Sequence, residues 1–191
     1  MQGGDTTCGP AALTVARMLV DPTLAAWVTT GDTGRGRALL EGSASEGTPA
    51  ERFAAYEGVV HRRVTSTAGP GGAAQVPWPR ALGTSPWGAR LELEDLARPS
   101  GTRYRSVLVR HLPAARRARL FECLRAHLTP TQPGLLYVGS PFLPRHVALL
   151  VPGAGGLAVY DPGDGSVGPL DVVGVSAALA PIGGWRMPWW L

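Results

Sequence analysis

The sequence predicts a single α+β domain, covering residues 1–191, in which a helical layer packs against a mostly antiparallel sheet. The length of 191 residues suits one domain with a substantial core and is short for two. Helical patterns dominate the first half, whereas short apolar runs between turn residues dominate the second. This order favours an α+β fold over a doubly wound parallel sheet, in which helices and strands alternate.

Four segments have the features of helices, namely an apolar stripe at helical spacing or a recognisable start signal. In the first of them, Cys8 falls at the N-terminus and Pro10 lies in the first turn. The second begins with the capping box that runs from Thr48 to Glu51. The predicted helices are 9–19, 49–63, 85–98 and 113–128. Segments rich in Gly, Pro, Ser and Thr predict loops at 29–45 and 65–80.

The strands are predicted from alternating or short apolar segments bounded by turn residues. The first is an alternating stretch that precedes the last predicted helix, and the others follow that helix in close succession. The predicted strands are 104–110, 134–139, 145–151, 156–161 and 168–174.

The basic residues exclude several function classes. All 18 are Arg, and the chain contains neither Lys nor Asn, a composition typical of a GC-rich genome. Lysine catalysis and N-linked glycosylation are therefore excluded, and a histidine-orienting residue cannot be Asn. The net charge is only +4, and apart from Arg116, Arg117 and Arg119 the arginines are scattered. We expect a solvated helix face there and no nucleic-acid binding.

The two cysteines, Cys8 and Cys123, offer neither a disulfide framework nor paired metal-ligand spacing, and we expect no metal and no cofactor. Cys123 lies mid-helix and is predicted to pack in the core. No apolar run approaches the roughly 18 residues of a membrane span, so no membrane partner is expected. The first five residues lack the pattern of a secretory signal, which predicts a cytoplasmic protein, with a trimmed secreted precursor as the alternative.

The N-terminal segment from Gln2 to Leu13 predicts a nucleophile. Cys8 at a helix N-terminus meets unpaired backbone N–H groups and the positive end of the helix dipole, which favour the thiolate. The Gln2 amide and the Cys8 backbone N–H are two candidate donors to a developing oxyanion. The alternative is a small cysteine buried in a core helix.

A second segment, residues 146–162, has the pattern of a β-hairpin. With a four-residue loop at 152–155, counting outward puts His146 directly opposite Asp161 on one face of the sheet, with their Cβ atoms roughly 4.5–5.5 Å apart. The carboxylate would then hold one imidazole nitrogen and leave the other for a thiol. Asp164 is an alternative partner, and a surface histidine beside an ordinary turn is the alternative for the pair.

These residues carry a family resemblance. The pattern Q-x5-C-G-P-A-A-L, the strand H-V-A-L-L-V and the following Y-D-P resemble the papain-like cysteine peptidases that process bacteriocin leaders at double-glycine sites, and their free-standing relatives. The resemblance implies a papain-like fold with a peptide or protein substrate, cut after Gly-Gly-type sites. It also implies that Cys8 is the nucleophile, His146 the base, Asp161 its orienting group and Gln2 the oxyanion donor.

Two further function classes stay open at this point. The same residues would serve an acyltransferase or deamidase that acts on a protein partner, and a non-catalytic peptide-binding module would use the same fold without a thiolate. Five tryptophans in loop contexts fit either a peptide groove or plugs in a core that is poor in Phe and Ile. They are Trp78, Trp87, Trp185, Trp189 and Trp190.

Overall fold

The computed structural model describes residues 7–32, 47–80 and 83–191. The predicted combination of helices with an antiparallel sheet is confirmed. The helices are α1 (Cys8–Val20), α2 (Pro22–Thr30), α3 (Pro49–Thr65), α4 (Pro86–Leu96), α5 (Ala114–His127) and α6 (Val172–Ser176). The strands are β1 (Gly134–Gly139), β2 (Pro144–Gly153), β3 (Gly156–Asp161), β4 (Ser166–Pro169) and β5 (Met187–Trp190).

The sheet has the order β4-β3-β2-β1-β5, and every neighbouring pair is antiparallel. Because side chains alternate along a strand, β2 contributes to two separate apolar clusters. Val147 and Leu149 pack with α1, α2, α3 and α4, whereas Ala148 and Leu150 pack with Phe121 of α5 and with α6. The sheet therefore has helices on both faces, and the N-terminal helices form the layer that carries Cys8.

The local start signals explain most of the helices. The Thr48 hydroxyl accepts from the Glu51 N–H at 3.3 Å, and the Glu51 carboxylate accepts from the Thr48 N–H at 2.7 Å, so the predicted capping box is present. The helix α2 was not predicted, although its signals are in the sequence. Asp21 caps its N-terminus, Pro22 is its first residue, and Gly31 ends it with a φ of +81°. The loop predicted over 29–45 therefore starts later, and its residues 33–45 lie outside the described part of the chain.

Two strand predictions are wrong. Residues 104–110 form no strand of their own, because only Val107 and Val109 bond to the backbone beside β5, and Leu108 makes an isolated bridge to Trp190. The segment 168–174 divides into the end of β4 and the start of α6. Asp171 causes that division, since its carboxylate accepts from the Gly174 N–H at 2.9 Å and caps the helix.

The hairpin register also differs from the prediction. Gly153 pairs with Gly156, so the tip contains two residues, 154–155, in place of the four predicted at 152–155. Leu149 pairs with Tyr160, so the next pair in the same register is Ala148 opposite Asp161. His146 is then a diagonal neighbour of Asp161, two residues along β2 from the position directly opposite. The error is a shift of two residues, and a shift of two keeps each side chain on its own face of the sheet.

A buried ion cluster ties α1 to α3 and α4. Arg17 of α1 donates to Glu92 at 2.9 Å and to Asp95 at 2.8 Å, and Arg63 of α3 lies 3.6 Å from Glu92. The Glu92 side chain is 0% exposed, so it depends on these cations to offset its lost hydration. The cluster holds α1, α3 and α4 together as one layer, and Cys8 is the first residue of α1 in that layer.

Among the described residues, no single helix is both long and apolar enough to span a membrane. Only α1 and α2 taken together are long and apolar enough, and the chain bends by 114° between them. Most residues of α1 are buried within the protein.

Candidate active site

Cys8 is the first residue of α1 and is half-buried. The next residue, Gly9, packs directly against Thr84, which is buried. A Cβ on Gly9 would lie 2.5 Å from the Thr84 Cβ, a distance that real side chains do not tolerate. Glycine is therefore required after Cys8 by close packing, and this contact fixes the position of the helix N-terminus.

His146 and Asp161 are in direct contact. The His146 Nε2 lies 2.7 Å from the Asp161 Oδ1, and the two side chains are 5% and 14% exposed. Because an ionised carboxylate can only accept, Nε2 carries the hydrogen, and Nδ1 is the nitrogen that can take up a proton. Asp161 is itself held in place, since the same Oδ1 accepts from the Gly163 N–H at 2.8 Å.

Asp164, the alternative partner, is committed to its own turn. Its carboxylate accepts from the Ser166 N–H at 2.9 Å, and these hydrogen bonds to Ser166 hold the pKa of Asp164 below its usual range. Asp161, and not Asp164, is thus the carboxylate that contacts the imidazole.

Gly183 forms a wall against the imidazole that the sequence analysis missed. Gly183 and Gly184 have φ values of +55° and +81° and form the two-residue turn between Ile182 and Trp185. A Cβ on Gly183 would lie 2.6 Å from the His146 Cδ2 and 2.7 Å from Nε2, whereas a Cβ on Gly184 would meet nothing within 4 Å. The Gly183 backbone therefore packs closely against the imidazole at the edge that carries Cδ2 and Nε2.

Cys8 and His146 line the same pocket, which has a volume of about 290 Å³. The structure thus places the predicted nucleophile and the predicted base at one site, with Asp161 behind the imidazole. Gln2, the predicted oxyanion donor, lies outside the described residues. Among the side chains that line the pocket, Phe142, Leu143 and Thr84 were not singled out from the sequence.

The tryptophans fit both alternatives that the sequence left open. Trp78, Trp189 and Trp190 line the pocket, and Trp87 meets Trp78 edge to face at 5.0 Å between ring centroids. Trp185 packs against the apolar cluster on the α5 and α6 side of the sheet. Trp189 is at the same time a buried member of the core beside α1 to α4, and Trp190 packs against that core, so these two rings serve both the pocket and the core.

The prediction for Cys123 is wrong, because this thiol is exposed. Cys123 Sγ lies 3.8 Å from His127 Nδ1, one turn further along α5. That nitrogen is 2.7 Å from the Cys123 carbonyl oxygen, which can only accept, so Nδ1 carries a hydrogen and cannot deprotonate the thiol. This second Cys–His pair also lies in the last turn of α5, at the opposite end from the positive pole of the helix dipole.

An acidic side chain lies next to the N-terminus of α1. Glu57 of α3 hydrogen-bonds the side chain of Thr7, the residue before Cys8. Burial raises the pKa of the Glu57 carboxyl, and the bond from Thr7 opposes that rise. Within the described part of the chain, no group of three or more His, Cys, Asp or Glu side chains is arranged to hold a metal ion.

Comparisons with known proteins return no relative. No family model matches the sequence, and neither a curated protein nor a solved structure matches the chain. The site geometry and the residue patterns are therefore the basis for a functional proposal.

Proposed function

We propose that this protein is a cysteine peptidase, a thiol hydrolase that cleaves a peptide or related amide bond through an acyl-enzyme. One observation carries the proposal: Cys8, at the N-terminus of α1, lines the same pocket as His146, and the His146 Nε2 is hydrogen-bonded to Asp161. A nucleophile, a base and an orienting carboxylate in this relation are the elements of a catalytic triad. The resemblance to papain-like leader-processing peptidases points the same way, and a papain-like fold is part of the proposal.

The chemistry follows from the nitrogen that Asp161 leaves available. His146 Nδ1 takes the proton from the Cys8 thiol, and Sγ attacks the carbonyl carbon of the substrate. The C–N bond then breaks, and Nδ1 passes the proton to the departing amine, which leaves Cys8 as a thioester. A water molecule attacks the thioester carbonyl and gives a proton to Nδ1. The C–S bond then breaks, the carboxylic acid leaves, and Nδ1 returns its proton to Sγ, which restores the Cys8 thiol.

The developing oxyanion is stabilised at the start of α1. The Cys8 backbone N–H belongs to the first turn of the helix, where the dipole favours negative charge. By the family resemblance, the Gln2 side chain supplies a second donor. The Gly9–Thr84 contact maintains this arrangement because it fixes the helix N-terminus against the wall of the pocket.

The test is the pH dependence of iodoacetamide alkylation, read at each cysteine separately by peptide mass spectrometry. We expect Cys8 of the wild type to react well below the ordinary thiol pKa of about 8.5, and His146→Ala to remove that behaviour. Asp161→Asn, which keeps the shape of the side chain, should weaken it, because the amide does not stabilise the imidazolium. Circular dichroism of both variants checks that they are folded.

Cys123 is the internal reference, since it is an exposed thiol in the same molecule. Its rate of alkylation should be the same in the wild type and in both variants. If Cys8 titrates like Cys123, or stays unreactive while Cys123 is alkylated, the catalytic proposal fails. A non-catalytic peptide-binding module then becomes the better hypothesis.

A further inference from the structure

We infer that the pocket beside Cys8 and His146 binds a large, uncharged apolar or aromatic side chain on the acyl portion of the substrate, and so selects against a Gly-Gly sequence there. The inference rests on the proposed function, because it treats Cys8 as the atom to which the acyl portion is joined. It extends that function from a reaction class to a substrate class.

The walls of the pocket are predominantly apolar and aromatic. The large apolar and aromatic side chains that line it include Trp78, Phe142, Leu143, Tyr137 and Trp189. Tyr137 has the one hydroxyl in this set, and that hydroxyl donates to the Ser85 carbonyl at 3.2 Å, so it is already satisfied. Burial raises the pKa of Tyr137, which keeps it neutral.

The aromatic walls are fixed before any substrate arrives. The Trp189 indole N–H donates to the Ser140 carbonyl at 2.9 Å, the Arg110 guanidinium lies 4.2 Å from its ring centroid, and Trp190 stacks on it at 5.5 Å. The Trp87 indole N–H donates to the Val76 carbonyl at 2.8 Å, and this holds the ring that braces Trp78. A preformed pocket binds a side chain without a large ordering cost.

Phe142 indicates that an occupant covers this wall. It lies in the connection between β1 and β2, and 81% of its surface is exposed although it borders the pocket. Its backbone N–H donates to the Ser140 hydroxyl at 3.2 Å, so the connection is held by a local turn and not by burial of the ring. An apolar side chain in the pocket would remove both this ring and itself from water.

Size and charge narrow the choice of occupant. About 290 Å³ is near the lower end of the range for small-ligand pockets, which suits one bulky side chain, whereas two glycines would leave the walls without contacts. Among the described lining residues, Arg145 is the one permanently charged side chain, and no Asp or Glu lines the pocket. A cationic side chain would be repelled there without a counter-charge.

The experiment uses the full chain and two series of N-acetyl dipeptidyl chloromethyl ketones. Phe, Gly or Lys occupies one of the two positions before the ketone, and Ala occupies the other in all probes except acetyl-Gly-Gly. The rate of Cys8 alkylation is divided by that of Cys123 in the same sample, which corrects for the intrinsic reactivity of each probe. At one of the two positions we expect Phe to exceed Gly by about tenfold or more, with Lys no better than Gly.

Phe142→Ala should reduce the Phe-to-Gly ratio severalfold. The matched control is Leu179→Ala, which removes an exposed apolar side chain (72% exposed) that does not line the pocket, and it should leave the ratio unchanged. A ratio near one at both positions, or fastest reaction with acetyl-Gly-Gly, overturns the inference. An unaltered ratio in Phe142→Ala also contradicts it.

The iodoacetamide experiment separates the two proposals. If Cys8 is activated towards iodoacetamide but shows no preference for Phe, the pocket inference fails and the peptidase proposal stands. If Cys8 reacts with iodoacetamide as an ordinary thiol, the peptidase proposal fails whatever the probes show.

Discussion

Replacing Gly183 with Ala should displace the His146 ring without changing any residue of the proposed triad. The new Cβ would lie 2.6 to 2.9 Å from three ring atoms, and carbon atoms in ordinary contact are about 3.5–4.0 Å apart, so the ring must retreat by about 1 Å. The Nε2 to Asp161 distance is 2.7 Å, and hydrogen bonds weaken beyond about 3.2 Å. Because Asp161 is held by the Gly163 N–H, it cannot simply follow the ring.

Gly184→Ala is the matched control, since Gly184 also has a positive φ and its Cβ would meet nothing. Both variants bear a left-handed strain of about 1–2 kcal/mol. Gly183→Ala additionally loses a charge-assisted hydrogen bond, worth about 1.5–3 kcal/mol. We therefore expect its free energy of unfolding to be about 2 kcal/mol below that of Gly184→Ala.

Urea unfolding measures that difference, and alkylation at pH 6 measures the effect on the site. A misplacement of about 1 Å in a catalytic group costs on the order of a hundredfold in rate, so Cys8 of Gly183→Ala should react about a hundredfold more slowly than Cys8 of Gly184→Ala, relative to Cys123. Equal stabilities and equal Cys8 rates in the two variants would refute the proposed role of Gly183 as the support for the ring.

Three further predictions concern the framework of the site. Gly9→Ala should cost about 2 kcal/mol of stability by overpacking against Thr84, and Thr84→Gly in the same chain should recover part of it; additive losses in a double-mutant cycle would contradict this. Glu92→Gln should lower the free energy of unfolding by about 3 kcal/mol, because it removes a fully buried carboxylate and leaves its arginines without that partner. Glu122→Gln, in an exposed ion pair, should lower it by less than about 0.5 kcal/mol. Urea unfolding at pH 7 compares the two variants. Glu57 has a raised pKa, so the folded state binds more protons than the unfolded state, and its contribution to stability falls as the pH rises from about 4.3 through the raised value. Between pH 4.5 and pH 7, the free energy of unfolding of Glu57→Gln should consequently fall by less than that of the wild type. If urea unfolding shows the same change in the two proteins, the raised pKa of Glu57 is disproved.

Local sequence patterns were sufficient to predict much of the fold and, within the candidate site, the contact between His146 and Asp161. The Thr48 capping box and the hairpin pattern are decided by neighbouring residues, so they could be read from the sequence. The contact between His146 and Asp161 was predicted with the wrong tip length, yet it forms because an error of two residues preserves the face of the sheet.

The exposure of Cys123 could have been predicted from helix geometry. Phe121 is the buried residue of α5, and successive residues turn by about 100°, so Cys123 lies about 200° away on the opposite face. The prediction followed instead the general tendency of cysteines to be buried. In the 104–110 stretch, alternation indicated a strand, but its backbone partners are the residues of a strand near the end of the sequence.

The remaining features depend on contacts between distant segments. Nothing near Gly183 in the sequence indicates that its backbone lies against His146, and the packing of Gly9 on Thr84 likewise joins the start of α1 to the segment that precedes α4. The pocket combines residues from both halves of the chain, and of its walls only the tryptophans had been singled out from the sequence, without being assigned to a pocket.

The spacing of the three site residues has a consequence for synthesis of the chain. His146 and Asp161 are fifteen residues apart on one hairpin, so they meet through a short loop with a small entropic cost. Cys8 is synthesised long before His146, so the proposed nucleophile stays without its proposed base until synthesis has passed the hairpin. Until then a nascent chain carries the Cys8 thiol alone, and the proposed site is assembled only when the hairpin of β2 and β3 packs on the N-terminal helices.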